Sequence, residues 1–99
     1  MRVKFSPEAR QEFEEAERYY NQQWLELGNR FHEEVRSALP GLRSWPLSCP
    51  KERGDIRRLA LSRFPYKRLY SVESDHIYVI AVAHLHRKPN YWAERIEIP

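Results

Sequence analysis

The sequence predicts an α+β fold. An N-terminal strand and a two-helix antiparallel hairpin precede a three-stranded antiparallel meander, giving one mainly antiparallel four-stranded sheet covered by helices on one face. Three observations predict this. Residues 7 to 42 space their apolar side chains as helices do, residues 56 to 86 are rich in β-branched and aromatic residues broken by turn signals, and after the first strand no helix is interleaved between strands. Segregated helices bury their stripes on one face of an antiparallel sheet, whereas alternation would build a parallel one. At 99 residues the chain is read as a single domain, residues 1–99, with room for one modest core.

The first strand is Arg2 to Phe5, where polar and apolar residues alternate up to Ser6-Pro7. Ser6 is placed to cap a helix with Pro7 as its first residue, where a missing amide hydrogen is no loss. Ala9, Phe13, Ala16, Tyr20 and Trp24 recur at spacings of three and four and form the buried stripe. Glu12, Glu14, Glu15, Glu17 and Arg18 read as the solvated face.

Gly28-Asn29 is the expected break, and a second helical pattern runs through Phe31, Val35, Leu39 and Leu42. So short a linker makes the two helices an antiparallel hairpin. Pro40-Gly41 lies inside the second pattern, and a proline there removes a hydrogen bond and crowds the preceding turn, so a kink or early end is expected. Ser44 to Asp55 holds two prolines and a glycine and reads as a surface connection. Strands follow at Ile56 to Ser62, from Phe64-Pro65 to Val72, and from Ile77 almost to His86. The turn Glu73 to His76 joins the last two.

A tight turn there pairs Val72 with Ile77, Tyr70 with Val79 and Tyr66 with Ala83. One face then carries Tyr66, Tyr70, Val72, Ile77, Val79, Ala81, Ala83 and Leu85, rings opposite alanines, and suits burial beneath the helices. The other face carries Lys67, Leu69, Ser71, Tyr78, Ile80, Val82, His84 and His86 and is expected to be partly open. Arg68 falls on the buried face and needs a partner or an exit past the sheet edge.

The net charge of +3 is unevenly spread. Residues 1–50 hold seven Lys/Arg against eight Asp/Glu, and residues 51–99 hold ten against six. The basic strand half is compatible with an acidic partner, nucleic acid or protein. Cys49 is the one cysteine, which excludes an internal disulfide and a cysteine-rich metal site and leaves it a loop thiol. The N-terminus enters a charged segment at once, and no apolar run approaches the ~20 residues of a membrane span, so a cytoplasmic protein without membrane contact is expected.

The chemistry-bearing residues collect where the last strand ends. His84 and His86 point the same way if both lie on a strand and offer two metal ligands, but no third ligand stands at a metal-site spacing. They read as a polar strand end, with no metal and no cofactor. Lys67, His84, His86, Arg87 and Tyr91 could line a groove for acid-base cleavage of RNA, an imidazole or phenol moving the proton and cations steadying the phosphate. The same basic and aromatic mixture equally suits an acidic peptide or protein surface. Trp45 and Trp92 read as core or edge anchors, with Trp24 over the end of the hairpin.

Several stretches in this order resemble the RelE/ParE toxins of type II toxin-antitoxin systems: Phe5-Ser6-Pro7-Glu8-Ala9, Leu27-Gly28-Asn29-Arg30-Phe31 opening a second helix, Ile56-Arg57-Arg58-Leu59, Phe64-Pro65-Tyr66-Lys67, Ile77 to His84, and Arg87-Lys88-Pro89. The resemblance implies a toxin held inactive in a hetero-oligomeric complex by a cognate antitoxin, whose extended C-terminal segment wraps it. RelE-like members cut messenger RNA on the ribosome without a metal; ParE-like members poison DNA gyrase. Tyr91 stands where the nuclease has its C-terminal tyrosine, but Leu85 falls where it has an arginine, with Arg87 two residues beyond. The resemblance therefore leans to the ParE-like, plasmid-stabilisation branch and to a binder more than an enzyme. The alternatives are a messenger-RNA endoribonuclease using Lys67, His84, Arg87 and Tyr91, and a weakly toxic homologue that mainly binds antitoxin. Arg57, Arg58, Lys67, His84, His86, Arg87, Lys88 and Tyr91 are the candidate contacts to target or antitoxin.

Overall fold

The computed structural model describes residues 1–96. Its elements are β1 (Arg2–Phe5), α1 (Pro7–Gln23), α2 (Leu25–Ser37), α3 (Leu39–Ser44), β2 (Lys51–Arg53), β3 (Ile56–Ala60), β4 (Tyr66–Val72), β5 (His76–His84) and a 3-10 turn at Ala93–Arg95. The strands form one five-stranded sheet in the order β1-β5-β4-β3-β2. The predicted meander is present, but the sheet is mixed and has five strands where four mainly antiparallel ones were expected. β1 lies parallel to β5, Val3 opposite Ile77 and Phe5 opposite Val79. Its connection to the sheet passes through the helices, so no hairpin dictates its direction. The added strand, β2, comes from the stretch read as a connection, and it turns back on β3 through Gly54, whose φ of +55° is the left-handed conformation that glycine adopts freely.

Ser6 caps α1 as its sequence position demands, its Oγ accepting from the Ala9 N–H at 3.0 Å. The helices separate at Trp24, not at Gly28-Asn29. Trp24 is extended (φ −171°) and is at once the end of α1 and the cap of α2. Gly28 instead lies buried inside α2, where a Cβ would sit 1.7 Å from Asn21 Oδ1 of α1. Close approach of the two helices, and not a turn, uses this glycine. Asn21 meets Gly28 and Glu17 meets His32 (3.2 Å), so the pair runs antiparallel as predicted. The chain then bends at Ala38, and Pro40 sits in the first turn of α3, which is the early end expected at Pro40-Gly41.

Phe13, Tyr20, Phe31, Phe64 and Tyr66 form a ring cluster with centroids 4.9–6.3 Å apart between the helices and the sheet. Val35, Leu42, Tyr70, Ile77, Val79 and Val82 complete this core. Arg68 is buried with it and donates to the Val35 carbonyl at 3.0 Å. That carbonyl belongs to the last turn of α2, so one arm of the guanidinium is partnered and complements the helix end, while its Nε is buried without a partner among the described residues. Burial lowers its pKa to about 10, leaving it charged at neutral pH.

The predicted pairing of β4 with β5 holds from Val72–Ile77 to Tyr70–Val79 and then shifts by one, because Ile80 has no counterpart and Leu69 lies opposite Ala81. This bulge swaps the faces beyond it. Tyr66 pairs with His84, not Ala83; Val82 joins the helical core, whereas Ala81 and Ala83 turn to the other side. Leu85 and His86 lie past the strand and are exposed. The face expected to be open is substantially closed: Trp92 (1% exposed) packs there with Ile56, Leu69, Ile80, Ala81 and Ala83, flanked by Tyr91, Ala93 and Ile96.

Candidate functional site

The polar groups at the exit of β5 are organised by a residue of α1. Glu12 was read as solvated, but it sits one turn from both Ala9 and Ala16 at the margin of the buried stripe. β1 ends opposite Val79, so beyond it the outer edge of β5 has no neighbouring strand. There the Glu12 carboxylate accepts from the Val82 N–H at 3.0 Å. The same carboxylate takes both arms of Arg95, at 2.9 Å each, and the Tyr91 hydroxyl at 2.6 Å. Arg95 also donates to the Ile80 carbonyl at 3.0 Å. One acid thus ties α1, the bulged strand and the C-terminal turn together.

This network sets the chemistry of Tyr91. Burial, followed by the bond to Glu12, pushes its phenol above the ordinary value, and the same bond raises Arg95. A hydroxyl already committed to a carboxylate is a poor proton acceptor at neutral pH. Arg87 stacks on the Tyr91 ring, 3.8 Å from its centroid, and Arg95 lies 5.0 Å from it. His84 stands edge-on to Tyr66 and 5.0 Å from the His86 ring, and its Nδ1 accepts from the His86 N–H at 3.0 Å. Next to this group is a cleft of about 360 Å³, lined by Glu12, Glu15, Tyr19, Tyr66, His84 and Arg87 among others.

Of the residues singled out in the sequence, His84, His86, Arg87 and Tyr91 therefore come together, with exposed Lys88 beside them. Lys67 does not join them. It points to the other face and pairs with Glu52 of β2, which Arg58 also approaches at 3.6 Å. Arg58 donates to the Lys51 carbonyl and Arg57 to the Cys49 carbonyl, at 2.7 Å each. Two of the basic candidates thus serve to pin the loop before β3. Among the described residues no group of three His, Cys, Asp or Glu side chains could hold a metal ion, and no helix is long and apolar enough to cross a membrane. Trp45 is exposed (71%), contrary to the anchor reading, and Trp24, expected in the buried stripe, stands at the α1–α2 junction 59% exposed; Trp92 is the anchor. Sequence reasoning missed Glu12 and Arg95; the one available signal was the i, i+3, i+7 alignment of Glu12 with Ala9 and Ala16.

Residues 3–89 match the family model described as the ParE toxin of the type II toxin-antitoxin system, parDE. The chain belongs to the ParE toxin family. A solved chain from the chromosomal ParDE toxin-antitoxin system of P. aeruginosa shares the fold, with a TM-score of 0.64 over 87% of this chain and 97% of that one at 15% identity. No curated protein matches the chain in sequence. The ParE match ends at Pro89, so Tyr91 and Arg95, which fasten the C-terminal turn to Glu12, and Trp92, which packs on the sheet, lie beyond the part shared with the family model.

Proposed function

We propose that this ParE-family toxin is neutralised by a cognate antitoxin and acts by binding DNA gyrase, without an active site of its own. The observation that carries the choice between binder and nuclease is that two of the four catalytic candidates are already engaged, leaving only His84 and Arg87 beside the cleft. Lys67 is paired with Glu52 on one face of the sheet, and the Tyr91 hydroxyl is held by Glu12 at the edge of β5. General acid-base cleavage needs a proton carrier and a phosphate-binding cation around one reacting group. Here the second cation, Lys67, and the phenol of Tyr91 are withheld from the cleft, and exposed Arg87 and Lys88 suit contact with an acidic partner surface.

Expression without the antitoxin tests the reading. Induction is expected to arrest growth, relax supercoiling and raise DNA damage while messages stay intact, and purified protein should inhibit gyrase. Early cleavage of translated messages with gyrase unaffected would replace this reading with ribosome-dependent nuclease action. Absence of any growth defect, with antitoxin binding retained, would leave an antitoxin-binding homologue.

A further inference from the structure

Between α3 and the end of β3 lies a small apolar trough of about 380 Å³, lined by Ala38, Leu42, Trp45, Ser48, Cys49 and Leu59 among others. Its outer wall is a loop fastened from three directions: the Tyr70 hydroxyl donates to the Pro46 carbonyl, Arg57 to the Cys49 carbonyl, and the Ser48 hydroxyl to the Trp45 carbonyl, at 2.7–2.8 Å. Cys49, the one cysteine of the sequence, is half-buried on that wall, with the trough on one side and the helical core on the other. A small solute can reach the thiol without the loop opening.

Behind the thiol stands Arg68. It lies opposite Leu59 in the sheet and donates to the Val35 carbonyl, one turn before Ala38. Leu59 and Ala38 are both trough walls, so the guanidinium lies under the trough's inner side. Arg68 is 1% exposed, yet its Nε has no partner among the described residues. Cys49 is the foremost titratable group acting on that guanidinium, and the thiol also meets the Tyr70 hydroxyl. Glu34 comes next, but its carboxylate is committed to the amides of Ser62 and Arg63. Arg57 brings a second cation to the Cys49 carbonyl. A buried N–H without an acceptor calls for a reason, and a partly exposed thiol beside guanidinium groups is the setting in which cysteine is oxidised selectively.

We infer that Cys49 is a site of reversible oxidation by hydrogen peroxide, and that the oxygen it gains is the acceptor the Arg68 Nε lacks. The thiolate attacks one peroxide oxygen, which keeps its hydrogen. The S–O bond forms as the O–O bond breaks, sulfur gives up two electrons, and the other oxygen leaves as hydroxide, becoming water with the proton the thiol released. A charge-assisted bond from Arg68 then holds the sulfenic acid short of the higher oxides. With one cysteine in the sequence, no thiol of the same chain can condense with it. Reversal falls to an external thiol such as glutathione, which forms a mixed disulfide with loss of water before a second thiol frees Cys49. This site is independent of gyrase as the target and of the antitoxin.

The full chain is treated with hydrogen peroxide at neutral pH, trapped with dimedone and digested for mass spectrometry, and an isotope-labelled sample is followed by NMR. Expected are a dimedone adduct at Cys49, prevented by glutathione added before the trap, and a shifted, slower-exchanging Arg68 Nε–H on oxidation. In Arg68→Met the sulfenic acid should decay at least about tenfold faster. The unfolding temperature of the reduced variant separates a lost oxygen contact from a loosened fold. No adduct, an adduct that forms only in denaturant, an Arg68 resonance that oxidation leaves unmoved, or equal lifetimes in the two proteins would overturn the assignment. The Arg68 resonance of the unsubstituted chain decides even if Arg68→Met fails to fold.

Discussion

Glu12 and Arg95, 83 residues apart, face one another in two parallel N–H···O bonds of 2.9 Å. Both side chains are mostly removed from water, and the acid also holds Tyr91 and the Val82 amide. Glu12→Ala strands three donors at once and should cost about 2–4 kcal/mol. Thermal unfolding checks this against Glu14→Ala, an exposed neighbour expected to change stability by less than about 0.5 kcal/mol. Equal effects would mean that the network contributes no more than a surface charge does. Amide exchange at Ala93 to Ile96 should speed up in the first variant only.

Four phenols should titrate late. Burial raises Tyr20, Tyr66, Tyr70 and Tyr91 above the ordinary value near 10, with a thiol contact from Cys49 adding at Tyr70 and the Glu12 bond at Tyr91. The folded state therefore keeps protons that the unfolded chain releases. The stabilisation is complete below about pH 10 and falls as the pH rises above it. Phenolate absorbance of the native protein should show a late component that Tyr70→Phe and Tyr91→Phe each reduce; absence of any component above about pH 10 would contradict it.

Two tryptophans should behave oppositely. Trp92→Ala empties a fully enclosed site and should cost about 3–5 kcal/mol. Trp45→Ala should stay within about 0.5 kcal/mol, because its ring is already in water. Denaturant midpoints read both. A large loss at Trp45 would show that its loop is not independently pinned.

Arg68 gives a test of buried charge. Arg68→Ala leaves a cavity and an unanswered Val35 carbonyl and should cost about 3–5 kcal/mol, whereas Arg68→Met fills the space and removes the desolvation cost, so it should lose far less. If methionine is as damaging as alanine, the ion contributes more than its desolvation removes.

For activity, Tyr91→Phe retains the ring under Arg87 and removes only the hydroxyl. In a binder it should leave growth arrest largely intact, while a nuclease using that phenol would lose about 10²- to 10⁴-fold in message cleavage. Glu12→Gln separates the cases further, since a merely structural hydroxyl would show its loss in unfolding temperature and not in cleavage.

Local signals carried most of the fold. Ser6-Pro7 fixed the start of α1, Pro40 ended the second helix, and the Glu73 to His76 turn set the register of its hairpin, because each acts through backbone chemistry within a few residues. What escaped was non-local. The direction of β1 depends on a partner more than 70 residues away, Gly28 has the same signature in a turn as in a close helix contact, and no local pattern marks Ile80 as unpaired. At the site, His84, His86, Arg87 and Tyr91 could be grouped because they are near in sequence. Glu12 could not, since an acid among other acids on a helix looks solvated until the opposing Arg95 is placed.

The unpaired Ile80 makes the phase of β5 a matter of counting. Its two halves present opposite parities to the helices, so a chain shortened by that one residue would lose the bulge and keep Leu69 opposite Ala81 and Val82 in the ring-lined interior. Pairing Ile80 in the ladder instead would turn Ala81 and Ala83 inward and carry Val82 and His84 across the sheet without altering any side chain. Which residue is left out of the ladder, as much as which residues are in it, decides what this strand shows to each side.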